Sequence, residues 1–140
     1  MQVKNAVYPP GHQAMAFFGA PEDGPFVMVN LLKFKDKAEY PDGSPSDLTG
    51  QQAYALYGVE VSKLVEGLGG RIRFSGHVTS ILLGEVDELW DAVALAEYPS
   101  LAAFQAMATS PEMHSIEHHR IAGLAGQLNI RTKEGFGAPD

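Results

Sequence analysis

FVMVNLLKFK, running from Phe26 to Lys35, is the stretch on which the fold turns. It is β-branched and aromatic, and its middle is apolar at consecutive positions rather than at every second one. A strand buried on both faces has that pattern, so this segment is predicted to lie centrally in a sheet. Asn30 interrupts it, on the same face as Met28, Leu32 and Phe34. An amide there must find a hydrogen-bonding partner, either a neighbouring side chain or a bound molecule.

Upstream, Pro9-Pro10-Gly11 breaks the chain, HQAMAFFGA allows two turns of helix, and Pro21-Glu22-Asp23-Gly24-Pro25 ends them. Residues 1–24 therefore read as an N-terminal appendage with a short helix. Downstream, DKAEYPDGSPSDLTG is polar and broken by prolines and glycines, which predicts a long mobile loop over Asp36 to Leu48. Thr49 opens the capping box T-G-Q-Q, and Tyr54, Tyr57, Val61, Leu64 and Leu68 form one helical stripe before Gly69-Gly70 stops it. Arg71 to Leu83 and Trp90 to Tyr98 are expected as two further strands, with the acidic GEVDELWD at or near their turn. Pro99-Ser100 then introduces the helix LAAFQAMATS, Pro111 restarts it as PEMHSIEHHRIAGLAG, and QLNIRT is the last strand.

The order β-α-β-β-α-β predicts an α+β, ferredoxin-like antiparallel sheet with helices on one face, spanning 25–133, followed by a flexible tail over 134–140. Helices on one side leave apolar side chains uncovered on the other. A homodimer pairing sheet on sheet is the simplest cover.

Composition narrows the function classes. The 140 residues are 45% hydrophobic and 19% charged, values of a single globular domain. Ten basic residues, scattered, stand against 17 acidic ones, a net charge of -7, so nucleic acid is not an expected partner. There is no cysteine, hence no disulfide, thiolate metal site or thiol nucleophile. No apolar run suits a signal peptide or a membrane span, and a cytoplasmic protein is expected.

His114 to Arg120, HSIEHHR, spells the inverted zinc-protease string H-x-x-E-H. That chemistry needs a third ligand, a glutamate far downstream, and only Glu134 follows. No metal site is expected; His114, His118 and His119 read as a solvated helix surface. Met113, Ile116, Glu117, Arg120 and Leu124 share one helix face. A guanidinium on that face needs a carboxylate, carbonyls or a ligand anion, and Glu117, Glu97 and Asp91 are the internal candidates. Arg71, Arg73, Ser75 and His77 alternate along the second strand opposite Ile72 and Phe74, either as a solvated edge or as the wall of a polar cavity. Gly76 suggests a bulge there that would reset the facing of His77. A half-buried Glu97 would hold a raised pKa unless a cation offsets it.

The strand MVNLLKF, the A-Y-x-x-Y helix from Ala53, the G-G-R turn at Gly69, the strand ending A-E-Y-P-S from Ala96 and the S-P-E-M…R segment from Ser110 to Arg120 together resemble the domain of unknown function 1330 family. The resemblance covers Pro25 to Thr132. It implies a dimeric α+β barrel, in a superfamily that includes cofactor-free monooxygenases, muconolactone isomerases, haem-binding chlorite dismutases and stress-responsive barrels. It also implies a pocket between sheet and helices near the dimer interface. Its recurrent polar positions fall on Asn30, Tyr54, Tyr57, Glu97 and Arg120. The N-terminal helix and the 36–48 loop resemble those of a longer subgroup and would act as a lid. The histidines lie outside the family pattern, and no cofactor is implied.

Two expectations follow. In one, a small polar or anionic organic molecule is held by Arg120, Arg73, Asn30 and a tyrosine, Tyr54 or Tyr57, while Glu97 or His77 moves a proton in cofactor-independent acid/base or oxygenase chemistry. In the other, a non-catalytic binding or scaffold dimer keeps Arg120 in a structural ion pair and the tyrosines in the core.

Overall fold

The computed structural model describes residues 1–135. Most of the tail expected over 134–140 lies outside them; Glu134, inside, pairs with Arg73 at 3.5 Å. The elements are α1 (Gly11–Phe18), β1 (Phe26–Phe34), α2 (Gly50–Gly67), β2 (Arg71–His77), β3 (Ala92–Tyr98), α3 (Leu101–Ala108), α4 (Pro111–Gly123) and β4 (Leu124–Thr132). The strands form one antiparallel sheet in the order β2-β3-β1-β4. With β1 inside and the crossovers helical, this is the ferredoxin-like α+β topology predicted from the sequence.

Local chemistry fixes the ends of α2. The Thr49 hydroxyl accepts from the Gln52 N–H (3.1 Å), and the Gln52 side chain accepts from the Thr49 N–H (2.9 Å). At the other end Gly69 takes φ 90°, so that its N–H donates to Glu66 O and that of Gly70 to Val65 O. This is the Schellman closure, and its left-handed residue is a glycine for want of a Cβ. Gly70 is also the only residue type that fits its place, since a Cβ would lie 2.2 Å from Glu97 O.

Register divides the sheet's side chains. Phe26, Met28, Asn30, Leu32 and Phe34 share a face with Tyr98, Ala96, Ala94 and Ala92, and this face meets the helices. The core joins Phe26 and Met28 to Val65, Tyr98, Leu101, Met107 and Met113. The opposite face carries Val27, Val29 and Leu31 beside Glu97, Leu95 and Val93 on one side and Thr132, Ile130 and Leu128 on the other. Among the described residues no helix covers it, and Phe74 and Ile130 stand 56% and 45% exposed there.

Four expectations are corrected. The second strand ends at His77 rather than Leu83, and the third starts at Ala92, leaving 78–91 as an extended connection. The bulge falls between Ile72 and Phe74, not at Gly76: Ile72 pairs with Ala96 but Phe74 with Leu95. Phe74 thus turns to the open face, covering Gly76, whose added Cβ would meet its ring at 2.8 Å. Ser75 and His77 turn to the helix face.

The 36–48 loop is tied down instead of free. Ala38 N–H donates to Leu48 O, Glu39 N–H donates to Ala122 O, and Ala38, Tyr40 and Leu48 pack with Ala53 and Ala122. Residues 1–24 are more than an appendage. Phe17 and Phe18 join Phe26, Tyr98 and Phe104 in one aromatic cluster, and Ala6 bridges to Gln127 along the free edge of β4. Glu22 accepts from the Leu101 and Ala102 N–H groups (3.0 Å each), capping α3, and these bonds hold its carboxyl below the usual range.

Candidate functional site

A cavity of about 510 Å3 lies between the sheet and α2. Asn30 and Ser75 reach it from the sheet, Tyr54 and Tyr57 from one stripe of α2, Tyr98 from β3, and His77 from the end of β2. Ala92, Ala94 and Ala96, small residues on consecutive inward positions of β3, leave the room for it. The i, i+3 spacing of the tyrosines sets their rings 5.4 Å apart, and Phe34 packs on Tyr54 at 5.5 Å.

Burial raises the pKa of all three phenols. Tyr54 is pushed up to about 12, with the Arg120 charge pulling the other way, and Tyr57 and Tyr98 are also pushed up. At neutral pH these are neutral hydroxyls that donate and accept but do not serve as bases. The Tyr57 hydroxyl donates to Met113 Sδ at 3.8 Å, a weak partner. The Tyr54 hydroxyl has no hydrogen bond among the described residues, and it is not sealed from solvent.

Arg120 is occupied. Its Nη1 donates to Glu117 Oε1 (3.1 Å), and its Nη2 donates to Val7 O (2.7 Å) and Gln127 Oε1 (2.8 Å). Gln127 Nε2 in turn donates to Asn30 Oδ1 (2.8 Å), and Asn30 Nδ2 donates to Ala94 O (3.2 Å) and Met28 O (3.4 Å). One polar chain therefore crosses the apolar face from α4 to β3. It forms a wall: Asn30 lines the α2 cavity, while Arg120 and Gln127 line a second cavity of about 690 Å3 beneath the N-terminal segment and α1.

The residues singled out from sequence are thus sorted into three places. Asn30, Tyr54, Tyr57 and His77 come together. Arg120 is hydrogen-bonded to Asn30 through Gln127 and acts on Tyr54 and Tyr57 by its charge. Glu97 and Arg73 lie apart, on the open face, where Glu97 accepts from Arg71 Nε (3.1 Å) and faces Arg73 Nη1 at 3.6 Å. The carboxylate partner of Arg120 is Glu117, and Asp91 instead accepts from the Phe34 N–H and pairs with Lys33.

The histidines have local partners. His114 Nδ1 lies 2.9 Å from Ser110 O, His118 and His119 stack at 4.0 Å, and the Tyr40 hydroxyl meets His119 Nδ1 at 2.8 Å. Burial, and then the neighbouring His118, lower the pKa of His119. Among the described residues no three metal-ligating side chains converge, and no helix is long and apolar enough to cross a membrane. Gln127 and Tyr98 were not picked out from sequence as site residues, whereas Ser75 was read there as one possible wall of a polar cavity. The signal for Gln127 was present: Gln127, Asn129 and Arg131 put polar groups on one face of the last strand.

No family model matches the chain, and no curated protein matches it. Among solved structures it is similar to the RPA0582 protein of Rhodopseudomonas palustris, a protein of unknown function, with 37% identity over 93% of this chain and 97% of that one and a TM-score of 0.80. The methylated RPA0582 protein gives 37% identity over 94% and 96% of the two chains and a TM-score of 0.82. A dimeric ferredoxin-like protein of unknown function from Thermobifida fusca shares 14% identity over 78% of this chain and 90% of its own, with a TM-score of 0.49. The extent and identity of the first match establish that this chain belongs to the family of the RPA0582 protein.

Proposed function

We propose that the chain works as a homodimer, closed through the open sheet face into an α+β barrel, and that each subunit holds a small organic molecule in the cavity between sheet and α2. The ligand carries an oxygen that accepts a hydrogen bond from Tyr54, with an apolar body against Ala92, Ala94 and Val61. The observation that carries this reading is the Tyr54 hydroxyl: it borders the cavity, is held neutral by its raised pKa, and makes no hydrogen bond among the described residues. His77, the one imidazole lining the cavity, is the proton acceptor in any cofactor-independent acid/base step. Glu97 and Arg73 are assigned to the barrel interior at the dimer contact instead of to the site. Kinship with the domain of unknown function 1330 family is proposed on the motif order in the sequence.

A scaffold role is favoured by one observation, the full engagement of Arg120 by Glu117, Val7 and Gln127. That engagement removes the anion-binding guanidinium but leaves the cavity. The test is a panel of small hydroxy and carbonyl compounds followed by the amide shifts of Asn30, Tyr54 and His77. Gly58 lines the cavity with open space around its Cα, so Gly58→Leu should fill the space and abolish binding. Hits that bind Gly58→Leu as tightly as the native chain would sink the proposal. Solvent deuterium uptake next to a bound carbonyl, lost in His77→Gln, would extend it from binding to catalysis.

A further inference from the structure

Residues 78–91, between β2 and β3, form an arm whose root is fixed and whose tip is apolar. At the root the Val78 N–H donates to Asp91 O (2.9 Å), the Asp91 N–H donates to Leu32 O (2.8 Å) and Lys33 Nζ donates to Leu89 O (3.1 Å). Trp90 Nε1 donates to Asn5 Oδ1 at 2.9 Å. Beyond the root, Leu82 and Leu83 are 102% and 87% exposed, with Ile81 and Val86 at 48% and 38% beside them. Gly84, at φ 95°, makes the turn between the leucines and Glu85. Scattered single apolar residues on a surface need no explanation, but four within six consecutive residues on an anchored projection do.

We infer that the tip of this arm, Ile81 to Val86, packs against a second copy of the chain. The inference rests on the homodimer proposed above, and it adds the part of the contact that the sheet does not supply. Four strands about 4.8 Å apart, two of seven and two of nine residues, span roughly 500 Å2 in plan, a modest platform where a stable interface buries about 800 Å2 of accessible surface per partner, and the arm would enlarge it. The arm leaves the sheet at His77 and re-enters it at Ala92, and Lys33, which shares the open face with Leu31, holds Leu89 O, so the base of the arm lies at the margin of that face. Glu85, Asp87 and Glu88 make no ion pair among the described residues, and a chain of net charge -7 is repelled by anionic lipid. A membrane is therefore the poorer occupant.

The test is sedimentation equilibrium of the native chain, of the double variant Leu82→Asp/Leu83→Asp, and of Leu56→Asp, which changes an exposed leucine on α2 in the same chemical sense. A native dimer whose dissociation constant rises at least a hundredfold in the arm variant, and stays within threefold in Leu56→Asp, is the expected result. A native dimer left unchanged by the arm variant overturns the arm contact while the sheet dimer stands, whether or not the arm binds neutral vesicles. A native monomer overturns both. Folding of the variants is checked by circular dichroism. A second readout avoids charge altogether: the chain has no cysteine, so Leu82→Cys accepts a single environment-sensitive dye. Its emission should shift to the blue across the concentration range of dimerisation, and emission constant over that range counts against the contact.

Discussion

Replacing Gln127 by leucine tests the central polar chain. Gln127 is 8% exposed, and its amide joins Arg120 Nη2 to Asn30 Oδ1. Leucine has nearly the same volume, so the cavity cost of the substitution is small. What is lost is one charge-assisted bond from Arg120 Nη2 and, among the described residues, the only side-chain donor to Asn30 Oδ1. A hydrogen bond to a charged group contributes about 1.5–3 kcal/mol, and an orphaned buried acceptor costs about 1–3 kcal/mol. Arg120 keeps Glu117 and Val7, which places its share at the low end. The expected loss is therefore ~3 kcal/mol, seen as a lower urea midpoint at unchanged slope. The companion variant Asn30→Ala strands Gln127 Nε2, and the double variant should lose about 1–2 kcal/mol less than the sum of the two singles. A loss below about 0.5 kcal/mol for Gln127→Leu, or additivity in the cycle, would refute the chain as a buried network and leave it a set of water-exchangeable contacts.

Glycines give predictions of opposite sign. Gly50→Ala should destabilise by about 3 kcal/mol or more, because the new Cβ would lie 2.1 Å from Lys35 O where α2 meets α4, and backbone cannot move aside there; thermal melting reads it. Gly58→Ala, inside α2 with nothing within 4 Å, should stabilise by about 0.5–1 kcal/mol in the same assay, through helix propensity. The tyrosines set an alkaline limit. Tyr54 titrates at 10 when unfolded and at about 12 when folded, so the stability it contributes is complete below pH 10 and is lost as pH rises from 10 through about 12. Absorbance at 295 nm should show its ionisation delayed until unfolding, and removed selectively in Tyr54→Phe.

The topology was legible because each deciding signal was local. An apolar run of β1 length, a capping box at Thr49, a Gly-Gly stop and two helix-starting serines each act within a few residues, and together they order the elements. The bulge was not, because whether Arg73 or Gly76 absorbs the extra residue depends on which partner on β3 each neighbour meets; the answer, Phe74 opposite Leu95, moved His77 into the cavity and Phe74 out of it. The 36–48 loop looked free because its composition is that of a turn. Its order comes from two backbone bonds to Leu48 and Ala122 and from three alanines in contact, none of which has a sequence signature.

Arg120 shows the same limit at the site. Sequence put a guanidinium on the apolar side of α4 and required it to have partners, and it has three. Glu117, three residues away, was among the candidates read from sequence; identifying the other two needed the register of β4, which sets Gln127 against Leu32, and the course of the N-terminal segment, which brings Val7 O within 2.7 Å. A charge whose partners come from 7 and 113 residues away cannot be assigned by helical spacing alone. The polar group at the cavity that makes no hydrogen bond among the described residues is the solvent-reached phenol of Tyr54, on a stripe whose pattern reads as core. An aromatic stripe borders a cavity in this way when the strand opposite it carries alanines. Tyr54 and Tyr57 facing Ala92, Ala94 and Ala96 on β3 is therefore the pattern that separates a packed core from a pocket in this chain.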